Sequence, residues 1–451
     1  MAKDHRFLDD ITNRKMLFAH IIRSSIPKGS ISSIKIPDIP KGYYSLIHKD
    51  IPGENRISVF SEEMPLLCNG NVQYEGEPIL VIFGPDEDKV LKLCSNTIIE
   101  YDTDYSLLTF DNYQKSQITA TKKFARGSVD SKFKSPYQTV EGEYKTSIQM
   151  LPITYPMGAI AKYKNNILGI ITSSQWPFHV QKTAADICAL PSQNIQVKIE
   201  PYYHTYDEKL ILPSIYSAIA AVLAIKSGKQ VRIVAEPYKI LKYSIKRPPV
   251  QIIRKSALND SGKIIAEDIE INVDIGAYPL FTEEILSQLI LGAASIYSIT
   301  NLRIKANAIR TSSPPMNVFK GCGIGMGVFS AETHISRIAA LQQTNPVTLR
   351  LEYLPKKNLK LPSGGILKQI SQRDILTKVA AGSDFDRKYS AYEVLKKREK
   401  EKLERSGNLR GIGLAIGYAG NGFTRKRENR EAYSMRVKLD RNDKLYISSS
   451  S

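Results

Sequence analysis

The chain has 451 residues, of which 42% are hydrophobic and 24% charged, so it can form two or three domains with the composition of an ordinary globular protein. Its 63 Lys and Arg outnumber its 45 Asp and Glu, which gives a formal net charge of +18. The basic residues are spread over every segment. This distribution argues against a nucleic-acid partner and favours a generally basic proteome or an anionic ligand.

The cysteines argue against metal centres on this chain. They are far apart, form no C-x-x-C pair and have no histidine at zinc-ligand spacing, which also disfavours an iron–sulfur cluster: Cys68, Cys94, Cys188 and Cys322. Such usage fits a reducing compartment, and a cytoplasmic location is expected. The charged N-terminal residues lack an apolar signal core. The longest apolar run, residues 211–225, is too short to span a bilayer and predicts a buried helix.

Residues 1–110 contain short apolar runs broken by Pro and Gly, which predict strands with one or two helices. Residues 86–96 have a helical pattern. The inward-facing residues of this helix are predicted to be Val90, Leu91 and Cys94. Residues 111–135 are polar and lack periodicity, and they are interpreted as a linker.

Strands and helices alternate over residues 136–365. A hairpin is predicted at 159–171 because two apolar runs flank Lys164-Asn165-Asn166. The other predicted elements are a helix at 178–189, a strand at 195–199, the buried helix, strands at 230–235, 264–277 and 302–309, and a helix at 332–341. This alternation predicts a mixed α+β or α/β domain.

Within residues 311–338, glycine occupies every second position from 321 to 327: Gly321, Gly323, Gly325 and Gly327. A Pro-Pro turn precedes them and a helix is predicted to start near Ser330. Positions without side chains, followed by a helix start, let backbone N–H groups approach an anionic ligand. A tight strand packed under a neighbour is an equally good interpretation. A dinucleotide fingerprint is excluded because it would need glycine at Met326.

Residues 366–451 are predicted to contain a charged helix at 384–405 and strand-like segments at 411–417, 432–439 and 445–447. A strand pair with nothing to pack on is an unusual end for a domain. The expectation is therefore that a partner or a continuation of the chain completes it.

Many segments, in one order, resemble the molybdopterin-binding subunit of the xanthine dehydrogenase and aldehyde oxidase family. Those that resemble its a/b hammerhead domain are RFLDDI, LFAHIIRS, DIPGEN, MPLLCNGNVQYEGEPILVI and IIEYD. Those that resemble its first molybdenum-cofactor domain are TSSQWPFHVQKTAADICALP, SGKQVRI, KRPPVQIIRKSALNDSGKIIAEDIEINVDIGAY and FKGCGIGMGVFSAETHISRIA. RGIGLAIGY resembles the opening of the second cofactor domain.

The resemblance implies an α+β fold with a hammerhead domain at 1–110, the linker at 111–135, a mixed α/β cofactor domain at 136–365, and the start of a second one within 366–451. It also implies a molybdenum–pterin cofactor that hydroxylates a heteroaromatic or aldehyde carbon with water as the oxygen source, while a glutamate acts as base. Electrons would leave through iron–sulfur clusters to FAD, and both groups are expected on partner subunits.

The resemblance carries over to two parts of the sequence. Gln175 stands where the family has a glutamine that hydrogen-bonds the apical molybdenum ligand. Its alternative role is a strand-end glutamine that satisfies the turn at Pro177. Lys320-Gly321-Cys322-Gly323 stands where the family has Arg-Gly-Phe-Gly. The glycines can still present N–H groups, but Cys322 provides no aromatic wall for a planar substrate and Lys320 lacks the fork of arginine.

Residues 200–208 replace the family's glycine-rich GGGFGG run with side chains and a proline. Glu208 falls close to a family glutamate that touches substrate, and its alternative interpretation is a surface carboxylate. Tyr203, His204 and Tyr206 are predicted either to form a new polar pocket or to be ordinary loop residues.

No counterpart of the family's general base is found in this sequence, so the chain alone is not expected to turn over substrate. Two hypotheses follow. In the first, a second polypeptide completes the cofactor domain of a molybdenum hydroxylase. In the second, the chain is a catalytically inactive paralogue that acts as an interaction or assembly subunit.

Overall fold

A seven-stranded and a five-stranded sheet organise the chain in the computed structural model, which describes residues 7–150, 156–200, 207–318, 320–368, 370–398, 410–420, 424 and 435–449. The chain forms two units that divide after Gly420. The strands are β1 (Leu17–Arg23), β2 (Gly29–Lys35), β3 (Tyr44–Ile47), β4 (Ile57–Val59), β5 (Glu62–Met64), β6 (Asn71–Val72), β7 (Pro78–Gly84), β8 (Ile98–Thr103), β9 (Ile118–Arg126), β10 (Gln138–Thr146), β11 (Met157–Lys164), β12 (Ile167–Thr172), β13 (Ile195–Ile199), β14 (Val231–Ala235), β15 (Val250–Leu258), β16 (Ile264–Gly276), β17 (Leu302–Arg310), β18 (Leu359–Lys360), β19 (Ile366–Leu367), β20 (Met435–Leu439) and β21 (Leu445–Ser449).

The helices are α1 (Glu87–Ser95), α2 (Val129–Phe133), α3 (Pro177–Cys188), α4 (Leu212–Ser227), α5 (Pro237–Tyr243), α6 (Thr282–Ala294), α7 (Ile324–Leu341), α8 (Pro346–Tyr353), α9 (Gln372–Gly382) and α10 (Phe385–Arg398). None of the helices in the described ranges has the length and apolar character needed to cross a membrane.

The seven-stranded sheet joins the N-terminal segment to the rest of the first unit. Its order is β13-β12-β11-β14-β1-β7-β3, and β1 pairs in parallel with β14. Helix α4 packs on this sheet and every residue from Leu212 to Ala224 is buried, which confirms the predicted buried helix. The predicted hairpin is confirmed as well, because Asn165 (φ 52°) and Asn166 (φ 60°) connect β11 to β12 through the two left-handed residues of a type I′ turn.

The five-stranded sheet has the order β10-β15-β16-β17-β9. Its edge strand β9 and the short helix α2 lie within residues 111–135, so the prediction of a linker there was wrong. Strand β9 alternates half-buried and exposed residues along its length. Ala120 and Phe124 provide its partly buried apolar contacts. The aliphatic parts of Lys122 and Arg126 occupy other inward positions, so the period-two alternation of this strand is not visible as an alternation of apolar and polar residues.

Two further predictions differ from the structure. In α1 the buried residues are Val90 and Leu93, whereas Leu91 is 40% exposed, because residues three positions apart share a helix face and adjacent ones do not. Residues 411–417 form no strand; they extend along the first unit, where Ile416 N–H donates to Glu332 and the Tyr418 hydroxyl donates to Leu291 O.

The second unit contains the antiparallel pair β20 and β21. The strands place their apolar residues on one face, as period-two alternation requires. These side chains are all exposed: Met435, Val437, Leu439, Leu445 and Ile447.

A buried carboxylate, Glu77, joins the N-terminal segment to the loop after β16. Glu77 is 2% exposed and accepts hydrogen bonds from the Tyr278 hydroxyl at 2.7 Å and the Gln73 N–H at 2.6 Å. Burial raises the pKa of Glu77 to about 7, although these hydrogen bonds and the charge of Arg310 act in the opposite direction. The folded state therefore holds a proton that the unfolded chain releases near pH 4.5.

This pKa predicts that the free energy of unfolding falls as the pH rises from 4.5 to about 7, since in that range the folded state binds more protons than the unfolded state. The loss should be at most about 3 kcal/mol. We expect Glu77→Gln to flatten this part of the pH profile in urea denaturation. The matched control is Glu100→Gln, because the pKa of this exposed carboxylate is lowered by Lys35. An unchanged slope in E77Q would contradict the assignment.

Candidate cofactor-binding site

The glycine-rich segment is a loop followed directly by a helix. Residues 320–323 all have positive φ angles: Lys320 37°, Gly321 86°, Cys322 50° and Gly323 105°. Helix α7 begins at Ile324, whose N–H donates to Gly321 O at 2.9 Å, so it starts earlier than the position predicted near Ser330. The tight-strand interpretation was therefore wrong. Two non-glycine residues in the left-handed region make this a strained loop.

Three consecutive backbone N–H groups in this loop have no acceptor in the described part of the chain. They belong to Gly321, Cys322 and Gly323, and the last two residues are buried. Buried N–H groups without a partner are rare in folded proteins. Together with the N-terminal end of α7, they form a set of donors that suits an anionic group.

The other two glycines belong to α7. A Cβ added at Gly327 would lie 2.5 Å from Ala293 N and 2.6 Å from Leu289 O, because α7 crosses α6 with the backbones in contact. A Cβ at Gly325 would meet nothing within 4 Å. Two of the four glycines, Gly321 and Gly323, thus shape the loop of N–H donors, and Gly327 allows the close helix crossing that holds this loop in place.

Gln175 lies between β12 and α3. Its Oε1 accepts a hydrogen bond from Asp207 N–H at 3.1 Å, and its own backbone N–H donates to Lys209 O at 3.1 Å. With Oε1 held in this way, the Nε2 group is a donor that has no acceptor within the ranges described. The turn before Pro177 is stabilised by Ser174 Oγ, which accepts from Trp176 N–H, so Gln175 does not serve that turn.

The Gln175 segment and the glycine-rich loop both lie against the start of α6, because the Trp176 ring is 6.3 Å from the Phe281 ring and a Cβ added at Gly323 would lie 3.1 Å from Ile285 O. Burial raises the pKa of Cys322 well above its usual value, and the charges of Glu284 and Asp207 raise it further. Asp207, which anchors Gln175, therefore lies within electrostatic range of Cys322. The thiol stays protonated at neutral pH and is a small, neutral residue in the loop.

The two residues that follow Asp207 differ in how deeply they are buried. Glu208 is half-buried and its charge acts on the neighbouring Lys209. Lys209 is fully buried, and burial lowers the pKa of its ammonium group to about 8. The burial of Lys209 was not predicted, because a lysine that follows Asp-Glu has the pattern of a surface residue. The predicted pocket residues are outside the described residues: Tyr203, His204 and Tyr206.

An aromatic cluster next to Gln175 was also missed. Trp176 stacks on His179 with centroids 4.5 Å apart and lies 6.1 Å from Phe60 and 6.3 Å from Phe281. Phe60 and Phe281 meet edge to face at 5.7 Å. These residues come from three distant parts of the sequence, and only the fold brings them together. His179 is buried and bonded to Ser214 Oγ and Ser58 O, as expected for a structural histidine.

Family models match both parts of the first unit. Residues 4–104 match the a/b hammerhead domain of aldehyde oxidase and xanthine dehydrogenase, and residues 110–354 match the molybdopterin cofactor-binding domain. The chain belongs to the xanthine dehydrogenase and aldehyde oxidase family. The predicted family and its α+β architecture, a hammerhead domain followed by a molybdopterin-binding domain, are confirmed.

Members of this family with known names match at low identity. A probable xanthine dehydrogenase subunit from Bacillus subtilis is 26% identical over 440 residues, which cover 93% of this chain and 56% of that protein. The nicotinate dehydrogenase large molybdopterin subunit of Eubacterium barkeri is 24% identical, with 80% of this chain and 88% of that subunit covered. The aldehyde oxidoreductase of Desulfovibrio gigas has the same fold, with a TM-score of 0.81 at 19% identity over 97% of this chain and 49% of that one.

The donors in this region fit a molybdopterin cofactor. Its anionic part requires hydrogen-bond donors rather than carboxylates, and the loop offers three N–H groups without acceptors in the described structure. The Gln175 amide adds a neutral donor. No group of three or more His, Cys, Asp or Glu residues is placed to bind a metal ion directly in the ranges described.

Proposed function

We propose that this chain is the molybdopterin-binding subunit, or part of it, of a molybdenum hydroxylase that oxidises a heteroaromatic or aldehyde carbon with water as the oxygen source. The observation that carries the proposal is the anchored amide of Gln175, whose Nε2 group has no acceptor among the described residues. The nearby glycine-rich loop adds three backbone N–H donors that also lack an acceptor there. When bound, the cofactor supplies the two-electron oxidation that converts the substrate C–H bond into a hydroxyl group.

The residues of this chain would hold and shape the site. The N–H groups of Gly321, Cys322 and Gly323 bind the anionic part of the cofactor, and Lys320 adds a positive charge at the edge of the loop. Gln175 Nε2 donates to an oxygen ligand without changing the charge of the site. Glu208 stays a candidate for substrate contact. Cys322 has no ring, and the rings of Trp176 and Phe60, 6.1 Å apart, would help to exclude water near Gln175.

The general base and the electron-transfer groups belong, in this proposal, to polypeptide outside these 451 residues. The chain spans about half the length of the B. subtilis and D. gigas relatives, and this coverage supports further contributions to a complete enzyme. The expected partners are iron–sulfur and FAD subunits and a polypeptide that completes the second cofactor domain. A base must lie within hydrogen-bond reach of the attacking oxygen, so turnover requires that polypeptide.

The proposal predicts that Gln175→Ala lowers the retention of molybdenum about tenfold, since losing a group that orients a metal ligand typically costs 10- to 100-fold in affinity. The measurement is molybdenum by mass spectrometry and pterin by fluorescence in the chain purified with its co-expressed partners. Gln251→Ala, on β15, is the matched control because Gln251 is also a half-buried glutamine held by hydrogen bonds, to Glu143 Oε1 and from Asn272 Nδ2, but lies in the five-stranded sheet. Equal molybdenum in Q175A and wild type would reject the role of Gln175.

The wild-type protein separates the two hypotheses. If the purified protein contains about one molybdenum and one pterin per chain, the result supports a hydroxylase subunit. A stable complex that contains neither of them would reject the proposal and favour the inactive assembly subunit.

A further inference from the structure

The side chain of Arg247 determines the orientation of one peptide group in the glycine-rich loop. Arg247 Nη2 donates to Lys320 O at 2.7 Å. The peptide bond from Lys320 to Gly321 is trans, so its C=O and N–H point in opposite directions. By holding the carbonyl, Arg247 sets the direction of the Gly321 N–H, which is one of the three loop donors without an acceptor in the described structure.

The next peptide group in the loop is held by backbone alone. Gly321 O accepts from Ile324 N–H at 2.9 Å, which orients the N–H of Cys322 in the same manner. The two contacts differ in kind. The contact with Ile324 belongs to the start of α7, whereas the contact with Arg247 comes from a side chain distant in sequence and can be removed by one substitution that leaves the loop sequence unchanged.

Arg247 is itself held in a rigid setting. Its Nη1 donates to Gln149 Oε1 at 2.8 Å, and the backbones of Gln149 and Arg247 pair in both directions. The preceding residue, Lys246, bridges to Met316 and accepts from Asn317 N–H at 3.0 Å, which ties this segment to the approach of the loop. Burial lowers the pKa of the Arg247 guanidinium, but arginine stays charged at neutral pH, and a charged donor strengthens the hydrogen bond to Lys320 O.

We propose that Arg247 is a positioning residue that turns the N–H of Gly321 toward the anionic part of the cofactor. Arg247 acts through the Lys320–Gly321 peptide and needs no contact with the cofactor. This inference rests on the proposed function, because the molybdopterin cofactor is the group that the loop would bind.

The test measures binding of inorganic pyrophosphate to the purified full chain by calorimetry, together with the urea midpoint of each variant. Loss of one oriented N–H donor to an anion predicts about tenfold weaker binding by Arg247→Ala. Gln149→Ala keeps the charge of Arg247 but removes the partner of Nη1, and about threefold weaker binding is expected. Arg303→Ala removes the same charge from β17, where Arg303 pairs with Asp268 and Asp130, and binding should be unchanged.

The outcomes are distinct. Weaker binding in R247A and Q149A, with R303A at the wild-type level and the R247A midpoint within error of wild type, supports the positioning role. Equal binding by R247A and wild type overturns it, as does a loss in R247A with no change in Q149A, because charge alone would then explain the effect. A wild-type chain that binds neither pyrophosphate nor molybdenum would instead contradict the proposed function itself.

Discussion

Replacing Gly327 with alanine is expected to lower the free energy of unfolding by about 3 kcal/mol. The added methyl group would lie 2.5 Å from Ala293 N, 2.6 Å from Leu289 O and 2.7 Å from Gly292 C, and all three are backbone atoms of α6. Backbone in a packed helix cannot yield as a flexible side chain can, so α6 and α7 must move apart. Urea denaturation of the wild type and variant measures the change.

Gly325→Ala provides a matched control in the same helix. A Cβ there meets nothing within 4 Å, so alanine should leave the packing intact and raise stability by up to about 1 kcal/mol through its higher helix propensity. The G327A variant should also retain less molybdenum than G325A, because α7 carries the donor loop at its N-terminal end. If the two variants had the same unfolding midpoint, the close helix crossing would not hold in solution.

Replacing Glu332 with alanine is expected to cost about 3–5 kcal/mol, because it leaves the charge of Arg350 buried without its carboxylate partner. Arg350 is fully buried and its Nε donates to Glu332 Oε2 at 2.9 Å. The same carboxylate accepts from the Tyr297 hydroxyl at 2.5 Å and from Ile416 N–H at 2.9 Å. One side chain therefore connects α7, α8, the segment before β17 and the extended residues 410–420.

Two variants test this explanation by urea denaturation. Glu393→Ala removes an exposed partner of Lys396 at 3.8 Å and should cost less than about 0.5 kcal/mol. The double variant Glu332→Leu with Arg350→Met removes both charges, so it should be more stable than E332A alone. A double variant no more stable than E332A would show that the lost hydrogen bonds, and not the unpaired charge, dominate the cost.

The sequence predicts local structure well where one kind of pattern dominates. The apolar run at 211–225 becomes the buried helix α4 because no charged side chain interrupts it. The two asparagines at 165–166 form their hairpin turn because Asn tolerates the left-handed conformation. The order of the family's segments also sufficed to predict the family, its hammerhead domain and its molybdopterin-binding domain.

The tertiary structure alone decided how these parts form a site. No local pattern could show that β1 would pair with β14, that Phe60 and Phe281 would meet beside Trp176, or that Asp207 would anchor Gln175, because each contact joins residues far apart in the chain. Glycine spacing alone could not divide the four glycines between a donor loop and a helix crossing. That division depends on where α6 lies, since its backbone excludes a side chain at Gly327 and leaves Gly325 free.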